Sequence, residues 1–160
     1  MSLDTAAELC PERSERQHWL AVLAKAPLDQ LEAAWEALDD KPAHRLLRRS
    51  ETGLVMLRVR IGGTGPQFNL GEMTMSRAAV QLVGDGGAGE TGFGHVAGRS
   101  TRHAELVALF DAMLQSARWH DVIGETVIEP LAMEQQAVRA AEAAKVAASR
   151  VDFFTMVRGE

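Results

Sequence analysis

The stretch GLVMLRVRI at residues 53–61 decides how the chain is read. Val55, Leu57, Val59 and Ile61 recur at every second position, and Leu54, Met56, Arg58 and Arg60 fill the positions between. A period of two sends the two sets to opposite faces of an extended strand. The mixed character of the second set predicts a strand that packs on one side and meets solvent or a partner on the other. Outward from it, glycine clusters at 62–65 and 84–89 flank FNLGEMTMSRAAVQLV (68–83), and ETGFGHVAG (90–98) follows. Glycine-rich turns between β-patterned runs predict a meander of about four antiparallel strands over 43–98.

On either side the period changes to that of a helix. Trp19, Val22, Leu23 and Ala26 fall on one helical face before Pro27 interrupts, and Leu28, Leu31, Trp35 and Leu38 repeat the pattern. After the strands, Leu106, Val107, Phe110, Met113, Leu114 and Ala117 form an apolar stripe that predicts a helix covering the sheet. TVIEPL (126–131) reads as a short extended segment, with Glu129 held out of helical geometry by Pro130. Residues 131–148 hold eight alanines and few large apolar side chains, a composition that favours a helix without giving it a core to join. The expected organisation is a loose N-terminus over 1–12, one α+β domain over 13–130, and an alanine-rich helical arm with an apolar tail over 131–160.

With 160 residues, the chain has enough apolar material for one ordinary core. Its net charge of −5, with scattered basic residues, does not recruit nucleic acid or an anionic membrane, so any anion must be held locally. The first residues lack the basic-then-apolar order of a secretory signal and no run is long enough for a membrane span, which predicts a cytoplasmic protein. Cys10 is the single cysteine. An internal disulfide, a thiolate zinc site and an iron-sulfur cluster are therefore excluded from this chain.

No self-sufficient active site emerges, and neither a catalytic residue nor a metal site is assigned. GGTG (62–65) has the glycines of a phosphate loop but is followed by Pro66 and a β-pattern instead of a lysine and a helix, so a hairpin turn explains it better. HAE (103–105) resembles the start of a zinc deaminase signature whose partner cysteines do not exist here, and a satisfied, partly buried His103 is the better reading. Arg99 and Arg102 flank the start of a helix, where backbone N–H groups favour anions, and Arg77 follows a β-stretch. These three arginines are the candidate substrate-binding residues, against the competing reading of ordinary surface arginines. The tail VDFFTMVRGE (151–160) sets Val151, Phe153, Phe154, Met156, Val157 and Arg158 at a terminus where polar residues are usual, and predicts a partner-binding segment.

From Arg16 onward the chain resembles the PhnG family, a core subunit of the bacterial carbon-phosphorus lyase system. The resemblance rests on RQHWLAVLAKA (16–26), ETGLVMLRVRIGGTG (51–65), GEMTMSRAAVQL (71–82), GRSTRHAELVALFDAMLQ (98–115), ETVIEPL (125–131) and ASRVDFFTMVRGE (148–160). It implies a hetero-oligomeric transferase of phosphonate catabolism, serving phosphorus acquisition under phosphate starvation. That complex attaches an alkylphosphonate to the ribose C1 of MgATP, releasing adenine and giving an α-D-ribose 1-alkylphosphonate 5-triphosphate. The implied partners are a nucleosidase-type subunit, a radical lyase that carries the iron-sulfur cluster and uses S-adenosylmethionine, a further core subunit and an ABC-type ATPase accessory protein. No cofactor is expected in this chain, whose implied role is accessory, with a homodimer conceivable for the isolated chain. A stand-alone phosphate- or nucleotide-binding enzyme, built on Gly62–Gly65 and Arg99, is the alternative.

Overall fold

The computed structural model describes residues 11–84 and 87–149. Three antiparallel strands, β1 (His44–Arg60), β2 (Gln67–Gly84) and β3 (Gly87–Ala97), form one sheet in the order β1-β2-β3. Helices α1 (Pro11–Leu23) and α2 (Leu28–Glu36) precede it; α3 (Thr101–Leu114), α4 (His120–Ile123) and α5 (Glu129–Ala148) follow. The α+β class is as expected, with three strands in place of about four. The stretch 68–83 is long enough for two ordinary strands, yet Gly71 lies inside β2, opposite Leu57 at a register shift. A glycine beside a bulge bends a strand without ending it.

The core is organised around α3. Ala104 and every residue from Leu106 to Leu114 are buried, so α3 is enclosed on nearly all sides instead of carrying a single stripe. The sheet covers one side of it through Ser76, Ala78, Val80, Leu82 and Val96, and Leu23, Leu31 and Trp35 from α1 and α2 cover another. Trp35 meets Phe110 edge-on at 6.3 Å, a favoured aromatic geometry. Ala117, expected on the stripe, is exposed in the turn beyond α3.

Close approach of sheet and helix depends on glycine. A Cβ at Gly92 would lie 1.9 Å from the Ala108 carbonyl oxygen, and one at Gly94 would lie 1.9 Å from that of Ala104. Alternate glycines in TGFGH remove the side chains from the face that receives α3.

TVIEPL is helical, contrary to the extended reading. Glu129 has φ −61 and ψ −49, and a π-helical turn, Gly124–Ile128, joins α4 to α5 with Pro130 in the first turn. The first helical turn tolerates the missing proline N–H, and the wider π turn ahead of it absorbs the steric demand. Beyond the buried Leu131, α5 is mostly exposed, including Met133, Val138 and Val146.

The expectation for GLVMLRVRI is half met. Its residues alternate in exposure, with Val55, Leu57 and Val59 half-buried, but no described helix packs on their side, and Ile61 is exposed in the turn that ends the strand. The helices all lie on the opposite face of the sheet, the face of Ser76, Ala78 and Val80.

Candidate functional site

Polar side chains gather in three places, and each uses its charges internally. The most deeply buried centres on Asp111 of α3. Arg16 Nε and Nη2 donate to its two carboxylate oxygens at 3.1 and 2.7 Å, the Trp19 indole N–H donates at 2.9 Å and the Phe93 backbone N–H donates at 2.9 Å. One carboxylate thus ties α1, β3 and α3 together, with its lone pairs filled by fixed donors. Arg16 also lies over the Phe93 ring, 5.9 Å from its centroid. Sequence reasoning missed this pin, although an aspartate within the apolar run ALFDAML (108–114) is a sign of a paired buried charge.

The second cluster caps α3. The Ser100 hydroxyl accepts from the His103 N–H at 3.2 Å, so the protein itself satisfies the helix start that invited an anion. Arg102 lies 3.7 Å from Glu32 and 3.8 Å from Glu105, and Ser50 donates to Glu105. His103 is buried, with Nε2 3.0 Å from the Leu23 carbonyl, which makes it a link between α1 and α3.

The third lies on the face of the sheet turned away from the helices. Residues paired across strands share a face, which gives one row of Arg48, Ala79 and Phe93 and a second of Glu51, Arg77 and His95. Glu51 accepts from Arg77 Nε at 2.8 Å and lies 3.6 Å from Arg48. All of these side chains but Ala79 are exposed, a setting in which ion pairs contribute little stability and small ligands are poorly enclosed.

The three candidate arginines lie on neighbouring segments, since Ser76 donates to the Gly98 carbonyl at 2.9 Å, but their side chains belong to different surfaces. Arg77 is on the outer face of the sheet, Arg102 is on the helix layer bound to Glu32, and Arg99 is exposed in the turn between β3 and α3. Gly62 and Gly63, with φ of 59° and 80°, form the turn between β1 and β2, and the Gly65 N–H donates to the Ile61 carbonyl at 2.9 Å. Ala97 pairs with Met75 while the turn begins next to Gln67, so the β3 end is separated from it by about 26 Å of strand at roughly 3.3 Å per residue. Arg99 and the glycine turn cannot hold one phosphate, and the stand-alone enzyme built on that pair is set aside.

Two open grooves border α1. One is lined by His18, Val22, Lys25, Gln135 and Arg139. The other is walled by Glu15, Asp121, Glu125 and Glu129 beside His18 and His120, and its carboxylates repel a polyphosphate. Among the described residues no three His, Cys, Asp or Glu side chains are placed to hold one metal ion, and no described helix is long and apolar enough to cross a membrane. The expected partner-binding residues Val151, Phe153, Phe154, Met156, Val157 and Arg158, like Cys10, lie outside the described residues.

Comparison with known proteins accounts for a chain rich in internal ties and poor in converging functional groups. Residues 14–159 match the family model described as phosphonate metabolism protein PhnG. The chain is also similar to the alpha-D-ribose 1-methylphosphonate 5-triphosphate synthase subunit PhnG of Rhizobium meliloti (strain 1021), with 47% identity over 147 residues, covering 92% of this chain and 91% of that protein. With nearly its whole length matched on both counts, the chain belongs to the PhnG family of phosphonate metabolism proteins.

Proposed function

We propose that this chain is an accessory subunit of an α-D-ribose 1-methylphosphonate 5-triphosphate synthase, a cytoplasmic complex of phosphonate catabolism. The observation that carries the reading is the near full-length similarity to a protein named as a subunit of that synthase. In the complex, MgATP and an alkylphosphonate are the substrates and adenine is the leaving group. Displacing adenine requires an in-line phosphonate, a stabilised cationic sugar centre and cations around the triphosphate. The engagement of Arg77 and Arg102 in ion pairs within the chain supports placing that chemistry in a partner, with a nucleosidase-type subunit as the natural host. The radical lyase, with its iron-sulfur cluster and S-adenosylmethionine, a further core subunit and an ABC-type ATPase complete the proposed set of partners.

Single alanine replacements of the three arginines in the reconstituted complex test the accessory role. Turnover within about twofold of the parent is expected for each, whereas loss of a group that stabilises developing charge costs about 100-fold or more. A loss of that size in any one of them would place it at the active centre.

The tail VDFFTMVRGE is proposed as one docking element. Burying its two phenylalanines, methionine and valines removes several hundred Å² of apolar surface from water, about 5–10 kcal/mol before ordering costs. A truncation ending at Arg150 is expected to lose co-purification with the nucleosidase-type subunit while keeping its helical circular dichroism. Unchanged recovery of the truncated chain would assign docking elsewhere.

A further inference from the structure

The hairpin formed by β1 and β2 outruns the rest of the fold. β3 ends at Ala97 opposite Met75, so beyond Gly53 and Met75 the sheet narrows to a ribbon of two strands, Leu54–Arg60 paired with Gln67–Thr74. This ribbon projects about 23 Å at roughly 3.3 Å per residue. It exposes large apolar side chains, with Leu54 65%, Met56 50%, Ile61 66%, Phe68 41% and Leu70 61% accessible. Val55, Leu57 and Met73, on the face opposite Leu54 and Met56, are only half-buried. A two-stranded ribbon is marginal in water unless something packs on it. On the order of 500 Å² of exposed apolar side-chain surface in a single projection reaches the size that marks interaction sites on soluble chains. Together with the backbone around it, this area approaches the roughly 800 Å² per partner of a standard interface.

We propose that the ribbon 54–74 is an insertion arm, taken up on both faces by an apolar cleft of another subunit of the synthase, with carboxylates at the end of the cleft. The inference rests on the reading of the chain as a subunit of that complex. Charge decides the occupant: on a chain of net charge −5, the arm carries Arg58 and Arg60 against Glu72 alone. A second copy of this chain offers no matching cleft among the described residues. The α1–α5 groove and the apolar groove of Pro27, Leu131 and Val138 next to it both present Lys25 and Arg139 to those arginines. The acidic groove beside it keeps its apolar members Trp19 and Ile128 already buried.

The arm is tested in the full chain co-expressed with the other synthase subunits, one of which is tagged. Leu54→Ser combined with Leu70→Ser, and separately Ile61→Asp, is expected to reduce the chain recovered in the complex at least tenfold. Melting of the isolated variants should stay close to that of the parent, and Val122→Ser, exposed on α4, should assemble normally. Hydrogen exchange of the unmodified chain supplies a measurement independent of mutation: amides over 54–74 should slow markedly on assembly. Variants that assemble like the parent, or arm amides that exchange equally in both states, overturn the proposal. So does a homodimer of the isolated chain that the double variant abolishes. If the parent chain itself fails to co-purify, the subunit reading falls, and the arm with it.

Discussion

Asp111→Ala is expected to be among the most damaging single substitutions in this chain, lowering stability by about 3–5 kcal/mol, the cost of breaking a buried ion pair from one side. The reason lies in what remains. Arg16, the Trp19 indole and the Phe93 N–H all point at the Asp111 carboxylate, whose side chain is fully buried, and its removal leaves the buried Trp19 indole N–H without an acceptor; Arg16, a third exposed, regains water, which sets the cost at the lower end of that range. Against a total stability of about 5–15 kcal/mol, urea unfolding should show a midpoint moved far toward zero denaturant. Glu51→Gln is the matched control, because its ion pairs are half-exposed, and a change below about 1 kcal/mol is expected. Equal effects for the two substitutions would show that Asp111 does not pin the fold.

Gly94→Ala is expected to act through geometry alone. The added methyl carbon would lie 1.9 Å from the Ala104 carbonyl oxygen and 2.9 Å from the Ala108 nitrogen. Both are backbone atoms of a helix that cannot swing aside as a side chain can, so α3 must lift from the sheet along that turn. Overpacking of this kind costs about 1–3 kcal/mol and sometimes more, and the upper end is expected here because α3 organises the whole core. The melting temperature should fall by about 10 °C. Gly53→Ala, with nothing within 4 Å of the added carbon, should leave it nearly unchanged.

The parts of the fold that follow from local periodicity were legible in the sequence. Trp19, Val22, Leu23 and Ala26, then Leu31 and Trp35, are buried where the helical spacing places them, and the glycines at 62–65 make the hairpin turn. What escaped the sequence depends on tertiary context. The apolar stripe on α3 gave a satisfied, buried His103 as expected, but it did not show that the helix is enclosed on nearly every side, because Asp111 is satisfied by a partner 92 residues away in the chain. Pro130 looks like a stop in the sequence, because the π turn that accommodates it has no local signature. GLVMLRVRI gave the strand correctly, but whether Val55 and Leu57 pack inside the chain or wait for a partner depends on where the third strand stops. Of the candidate residues, sequence supplied the types and the fold supplied their partners: Arg77 pairs with Glu51 on the outer face of the sheet and Arg102 lies against Glu32 on the helix layer.

An accessory subunit assembles with the catalytic machinery without supplying it, and adenine release measures that most directly. The purified chain, given MgATP and methylphosphonate, is expected to release no adenine above the uncatalysed background, whereas adding it to the remaining synthase subunits should restore turnover. Adenine release by the isolated chain would place the catalytic centre in this subunit.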